Sequence, residues 1–293
     1  MTDPAFASPF IRIGPEQPLS PVVLSVPHAG RAYSTELLKS ARLPRMTLEA
    51  LEDRLVDRLV WRATAAGATA FVALTPRAEI DLNRDEREID PVLIAPTLPA
   101  SQIVQSARAR GGIGLIPSRI AGAGAIWRQR ISRGELERRI SEVHRPYHKA
   151  LETALSAARD RFGAAVLLDC HSMPPRGTQT LPPGEKAAAV IFGDRHGTTI
   201  SPDLLAAAVA GARELGFATA CNAPYAGGYV AGRHGRPNEN IHALQIELDR
   251  SIYLDVELRD PGPGFDQACR LILAVAKALE AQLLAPPQAI AAE

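Results

Sequence analysis

Strand-like apolar runs alternate with helix-like stretches along almost the whole chain, and no other feature limits its possible folds so strongly. VVLSV (22–26), ATAFVAL (68–74), AAVLLDCHS (164–172), AAAVIFGD (187–194), FATACNA (217–223) and IHALQIELDR (241–250) read as strands. Residues 47–66, 132–163, 202–216 and 264–285 carry helical periodicity. Thr47 is placed to cap the first helix and Gly67 to stop it. In the second, Ser132 followed by Glu135 has the spacing of a capping box, Pro146 interrupts the run and Gly163 ends it. Residues 103–127 are rich in glycine and lack periodicity, so they read as an excursion near a site rather than as core. The alternation predicts an α/β fold, a three-layer α/β/α sandwich around a mixed, largely parallel central sheet. With no repeat and no long linker, residues 1–293 are expected to form one domain with a core of 21–279 and loosely held ends at 1–19 and 285–293.

Charge and cysteine content exclude several function classes. Lys and Arg number 33 against 32 Asp and Glu, so no overall field exists to hold nucleic acid or an anionic membrane. No apolar run approaches the roughly 20 residues of a membrane span, and residues 1–12 lack the pattern of a signal peptide, so a cytoplasmic location is expected. Cys170, Cys221 and Cys269 lie far apart, without the spacing of a disulfide framework or a zinc knot. Cys170 adjoins His171 but must face the other side of its strand, and is read as a small buried hydrophobe.

In an open α/β sheet, ligands bind beyond the carboxyl ends of the strands. Polar residues follow the apolar runs at five such places: His28, Arg77, Asp169 with His171, Tyr225 to His234, and Glu247 with Asp249 and Arg250. His28 and His171 occupy matching positions, and two histidines plus a carboxylate make the three-ligand set of a catalytic zinc site. Either histidine alone would be an ordinary hydrogen-bonded loop residue. Asp53 and Asp57 are four apart, on one face of the expected helix, and Asp57 could hold the ring of a ligand histidine. PRAEIDLNRDERE (76–88) offers Arg77, Asn83 and Arg84, suited to an acidic substrate. Glu247 ends a strand on the face of Gln245 and Asp249, where a carboxylate could serve as general acid and base. YAGGYVAGRHGRP (225–237) reads as a flexible loop carrying Tyr229, Arg233 and His234. His144 and His148, without the glutamate of an HExxH motif, read as structural.

With SVPHAG, PRAEIDLNR, DCHSM, AGGYVAGRHGRP and LQIELDRSIYLD in this order, the sequence resembles the N-formylglutamate amidohydrolase family over residues 21–279. The resemblance implies a fold related to zinc carboxypeptidases and aspartoacylases, and an enzyme cleaving N-formyl-L-glutamate to glutamate and formate in amino-acid degradation. It assigns one zinc ion to His28 and His171, carbonyl polarisation to Arg77, the grip on the substrate carboxylate to Asn83 and Arg84, and acid/base work to Glu247. Tyr229 and Arg233 are assigned to substrate binding. Carboxypeptidases carry a ligand glutamate where this chain has Arg31, so the third ligand comes from elsewhere: Asp53 first, with Glu52 and Asp57 behind it. Hydrolysis of another N-acylated or N-formimidoyl acidic amino acid, and non-catalytic binding of an acidic metabolite, are the alternatives.

Overall fold

The computed structural model describes residues 8–176 and 187–286. Seven strands make one sheet: β1 Phe10–Ile13, β2 Val22–Val26, β3 Thr69–Ala73, β4 Ala165–Met173, β5 Val190–Gly193, β6 Thr219–Cys221 and β7 Ile241–Asp249. Their spatial order is β1-β3-β2-β4-β7-β5-β6. The pairs β3 with β2, β2 with β4, β4 with β7 and β5 with β6 are parallel, while β1 with β3 and β5 with β7 are antiparallel. The main helices are α1 Arg133–Arg139, α2 Arg145–Phe162, α3 Pro202–Glu214, α4 Tyr229–His234 and α5 Phe265–Leu284.

Both faces of the sheet are covered, because each strand alternates its side chains between two apolar layers. Leu24, Leu168, Cys170, Ile246 and Leu248 face α3, α5 and the helical pieces of 56–65. Val23, Leu167 and Ala243 face α1 and α2, meeting Leu136, Tyr147, Leu151 and Leu155. On this second face the apolar pattern stops short of the strand ends. Ser25, Asp169 and Gln245 come next, then His171 and Glu247, and all five are buried. Parallel register sets Ser25 beside Asp169, Asp169 beside Gln245, and His171 beside Glu247. A polar pocket is thus written into one face of three central strands.

Four expectations need correction. Residues 10–13, assigned to a loose end, form β1, which adds to the sheet edge through antiparallel pairing with β3; residues 1–7 and 287–293 lie outside the described residues. The helix expected over 47–66 is broken into Arg45–Leu48, a 3-10 turn Glu49–Leu51, Val56–Leu59 and Trp61–Ala65. Glu52 is extended and Leu55 left-handed (φ 61°), because tertiary contacts of Asp53 override the helical propensity there. Residues 103–127 contribute Leu115, Ile116, Ile126 and Trp127 to the core. The loop expected over 225–237 contains α4, whose Val230, Ala231 and His234 are buried.

The long helix of 132–163 is interrupted as Pro146 suggests. Ser132 caps α1 by accepting from Glu135 N (3.1 Å), a π-turn spans Ile140–His144, and Gly163 (φ 83°) ends α2. Leu151 anchors α2 on the sheet, fully buried. Leu151→Ala should lower the unfolding free energy by about 2–5 kcal/mol in urea titration; a loss under about 1 kcal/mol would mean that α2 packs loosely.

Candidate metal centre and active site

His28 stands at the end of β2, in a turn that runs against the strand next to it. A Cβ on Gly30 would lie 2.0 Å from Thr75 O, so only glycine lets the two backbones pass. The His28 ring is held at both nitrogens: Nε2 is 2.8 Å from Asp81 Oδ1 and Nδ1 is 3.2 Å from Asp53 Oδ2. His171 repeats the arrangement, with Nε2 2.8 Å from Asp169 Oδ2 and Nδ1 3.0 Å from Asp53 Oδ2. A ring that donates Nε2–H to a carboxylate keeps its lone pair at Nδ1. The two Nδ1 atoms are themselves 3.1 Å apart.

Three donors therefore converge, two imidazole nitrogens and one carboxylate oxygen, on His28, Asp53 and His171, all buried. Their separations of 3.0–3.2 Å approach the edge of about 3.3 Å expected between ligands about 2.05 Å from a tetrahedral zinc ion. The donor set fits a divalent cation of the zinc type. Burial alone would raise the Asp53 carboxyl, but the His171 and His28 rings against it outweigh burial and hold it well below the usual carboxylate range. Asp81 is likewise held well below, since Arg77 and Arg84 overcome its burial. His171 is pushed well above an ordinary histidine, as Asp169 and Asp53 overcome desolvation.

Glu247 faces this cluster from β7. Burial, opposed mainly by His171, pushes its carboxyl up to about 7. Gln245 Nε2 donates to Glu247 Oε1 (2.8 Å), while Gln245 Oε1 accepts from Gly228 N (2.7 Å). Arg77, half-buried, donates Nε to Asp81 Oδ2 (2.9 Å), and its charge is reinforced by Asp81, Asp53 and Glu247 against desolvation.

Helix α2 and the turn before it hold the segment that carries Asp81. His148 Nε2 donates to Leu82 O (3.0 Å) and His144 Nε2 to Arg84 O (2.8 Å), pinning the backbone on both sides of Asn83. His148 Nδ1 is then left to accept from His234 Nε2 (3.0 Å). Burial keeps all three rings neutral by pushing their pKa values down, that of His234 to about 3. Tyr147 lies 2.9 Å from Ser25 Oγ, which donates to Asp169 Oδ1 (2.7 Å).

A model of the family described as N-formylglutamate amidohydrolase matches residues 20–254, spanning every one of these side chains. The chain belongs to the N-formylglutamate amidohydrolase family. Proteins named N-formylglutamate deformylase from Pseudomonas aeruginosa and Pseudomonas putida are each 28% identical over 243 residues, 80% of this chain and 82% of theirs. The solved N-formylglutamate amidohydrolase of Ralstonia eutropha JMP134 is 34% identical with a TM-score of 0.84, over 93% of this chain and 98% of that one. The gene product Atu2144 of Agrobacterium tumefaciens, 18% identical with a TM-score of 0.58, shares the fold. As a member of this amidohydrolase family, the chain is a hydrolase acting on an amide C–N bond. That sets aside the non-catalytic binder.

Within the amidohydrolase fold, His28, Asp53, His171, Arg77 and Glu247 come together. The other two carboxylates considered for the metal do not. Glu52 accepts from Tyr33 OH (2.8 Å) and Arg54 Nη1 (3.2 Å), and Asp57 pairs with Arg31 (2.5 Å). Asp57 also holds no histidine; Asp81 and Asp169 do. Asn83 and Arg84 are largely engaged within the protein. Asn83 Oδ1 accepts from Val230 N (2.8 Å), and Arg84 donates to Ile113 O (2.8 Å) and Asn83 O (2.7 Å). Exposed Arg233 donates to Tyr229 OH (2.7 Å), and the Tyr229 ring packs on His144 and His148. A separate cavity of about 1010 Å³ beside α1, lined in part by Trp127, Arg130 and Glu135, contains none of the metal-site residues.

Asp81 and Ser172 were missed by reasoning from sequence alone, while Gln245 was placed on the Glu247 face without a role. Asp81 had a signal, since an aspartate opening the run DLN is suited to an Asx turn, and its Oδ1 accepts from Asn83 N (2.8 Å). Asp81→Asn removes the carboxylate that sets the His28 tautomer, and should weaken divalent-metal binding by about 10–100-fold in chelator competition. For the neutral histidines, the unfolded chain protonates near pH 6.5 while folded His234 does so at about 3. Stability should therefore fall as pH drops below 6.5, by up to about 1.4 kcal/mol per pH unit for each such ring. In urea unfolding between pH 6 and 5, His234→Gln should show a shallower fall than wild type; an identical slope would mean that folded His234 titrates normally.

Proposed function

We propose that this amidohydrolase cleaves N-formyl-L-glutamate to L-glutamate and formate, using one divalent metal ion, zinc, in the cytoplasm. The convergence of His28 Nδ1, His171 Nδ1 and Asp53 Oδ2, with Glu247 beside them, carries the reading. The names and extent of the relatives support the substrate. Among the described residues no helix is long and apolar enough to cross a membrane.

A zinc ion on those three atoms supplies Lewis acidity at the formyl oxygen and lowers the pKa of water. The protein does the rest. Glu247, held by Gln245 and with its pKa raised to about 7, takes a proton from the attacking water and delivers it to the departing amine nitrogen. The water oxygen joins the formyl carbon, the C–N bond breaks, and formate leaves. With Nε on Asp81, Arg77 retains its Nη groups to stabilise the oxyanion. The substrate α-carboxylate falls to Arg84 through Nη2, which lies 3.9 Å from Asp81, with Asn83 shaping the wall. Arg233, which donates to Tyr229 OH, is assigned with Tyr229 to the outer carboxylate.

Glu247→Gln should bind zinc and substrate as wild type does but lose about 10²–10⁴-fold in formate release; unchanged turnover would remove Glu247 from the mechanism. Zinc removal by chelator should abolish turnover and zinc addition restore it. A substrate panel decides the acyl group: N-formyl-L-glutamate should outperform N-acetyl-L-glutamate, since a pocket sized for a formyl hydrogen resists a methyl. Equal or better turnover of the acetyl or formimidoyl compound would assign the enzyme to that substrate instead.

A further inference from the structure

Asp53 supplies a metal-facing oxygen from residues 52–55, an irregular stretch with no ladder to hold it. Its position depends on other tethers. Asp53 N donates to His28 O (2.9 Å), and Arg250 Nη2 donates to Glu52 O (2.6 Å). The carboxylate oxygen turned away from the histidines, Oδ1, accepts from Ser172 Oγ (3.2 Å) and from Arg250 Nη2 (3.3 Å). Arg250 is itself fixed, with Nε on Ser172 Oγ (3.1 Å). Its turn is capped by Asp249, which accepts from Ser251 N (2.8 Å) and Oγ (2.6 Å).

We infer that Arg250 and Ser172 are positioning residues that occupy Oδ1 of Asp53 and confine it to one-oxygen coordination through Oδ2. The inference rests on the metal-dependent reading above. Its sign separates geometry from charge. A guanidinium beside a cation site repels the ion, so on charge alone Arg250→Met would tighten metal binding. If Arg250 acts by holding Asp53, its loss loosens binding, and Arg250→Lys, which keeps the charge without the planar fork, loosens it too.

The experiment compares wild type, R250M, R250K and S172A after metal stripping, by zinc titration against a chromophoric chelator and by visible absorption of the cobalt(II)-loaded proteins. Zinc affinity should fall by about 10–100-fold in R250M and R250K and by less in S172A. The cobalt bands should weaken as a freed Oδ1 joins the coordination sphere and raises the coordination number. Cooperative unfolding of each metal-free variant establishes folding; should R250M fail to fold, R250K and S172A decide by the same criteria. Unchanged or tighter zinc binding with a wild-type cobalt spectrum overturns the inference alone. A wild-type protein that takes up neither metal overturns the metal-dependent reading and this inference together.

Discussion

Asp53, Asp81, Asp169 and Glu247 are buried together at the carboxyl-terminal side of the central strands, and much of the surrounding structure answers that concentration of negative charge. An isolated carboxylate out of water is strongly disfavoured unless charges and donors compensate it. Each has its own set. Arg77 and Arg84 serve Asp81, Ser25 and His171 serve Asp169, and Arg250, Ser172 and the two histidines serve Asp53. Among the described residues Glu247 accepts a hydrogen bond from the Gln245 amide alone, and burial raises its proton affinity. The residue least compensated is the one proposed to move a proton.

Placing this cluster requires the sheet to change character along its strands. Leu168, Cys170, Ile246 and Leu248 keep one face apolar to the end, so α3 and α5 can pack there without interruption. The opposite face changes from Leu167 and Ala243 to Asp169, His171, Gln245 and Glu247 within the same two strands. Rigid ladders therefore hold the His171 and Glu247 backbones side by side. The remaining groups arrive on connections, each pinned by specific hydrogen bonds: Asp81 N by Leu115 O (2.7 Å), Leu82 O by His148 and Arg84 O by His144.

Much of this was legible in the sequence. Strand periodicity located His28, His171 and Glu247, and alternation put Cys170 on the face away from His171. What escaped depended on contacts between distant segments. The break at 52–55 is invisible to helical periodicity, because its cause is a carboxylate drawn to two histidines in distant segments, one in the turn after β2 and one on β4. HRPYH was read as structural, as its buried rings are, yet its targets, the carbonyls of Leu82 and Arg84, lie about sixty residues away. The glycine-rich run 225–237 suggested mobility. Its Gly228 is instead a point of close approach, where a Cβ would fall 2.3 Å from the Asn83 amide.

The departure of Asp53 from the helical path has a further consequence for the chain. Its carboxylate reaches His28 across 25 residues and His171 across 118. An ion shared by the three would act as a removable cross-link closing two loops of very different size, and closing long loops constrains the unfolded chain most. By mass action, each increment of metal occupancy also favours the folded state. Holding the ion and holding the chain together would then be coupled, so loss of the metal would lower the stability of the fold as well as the activity.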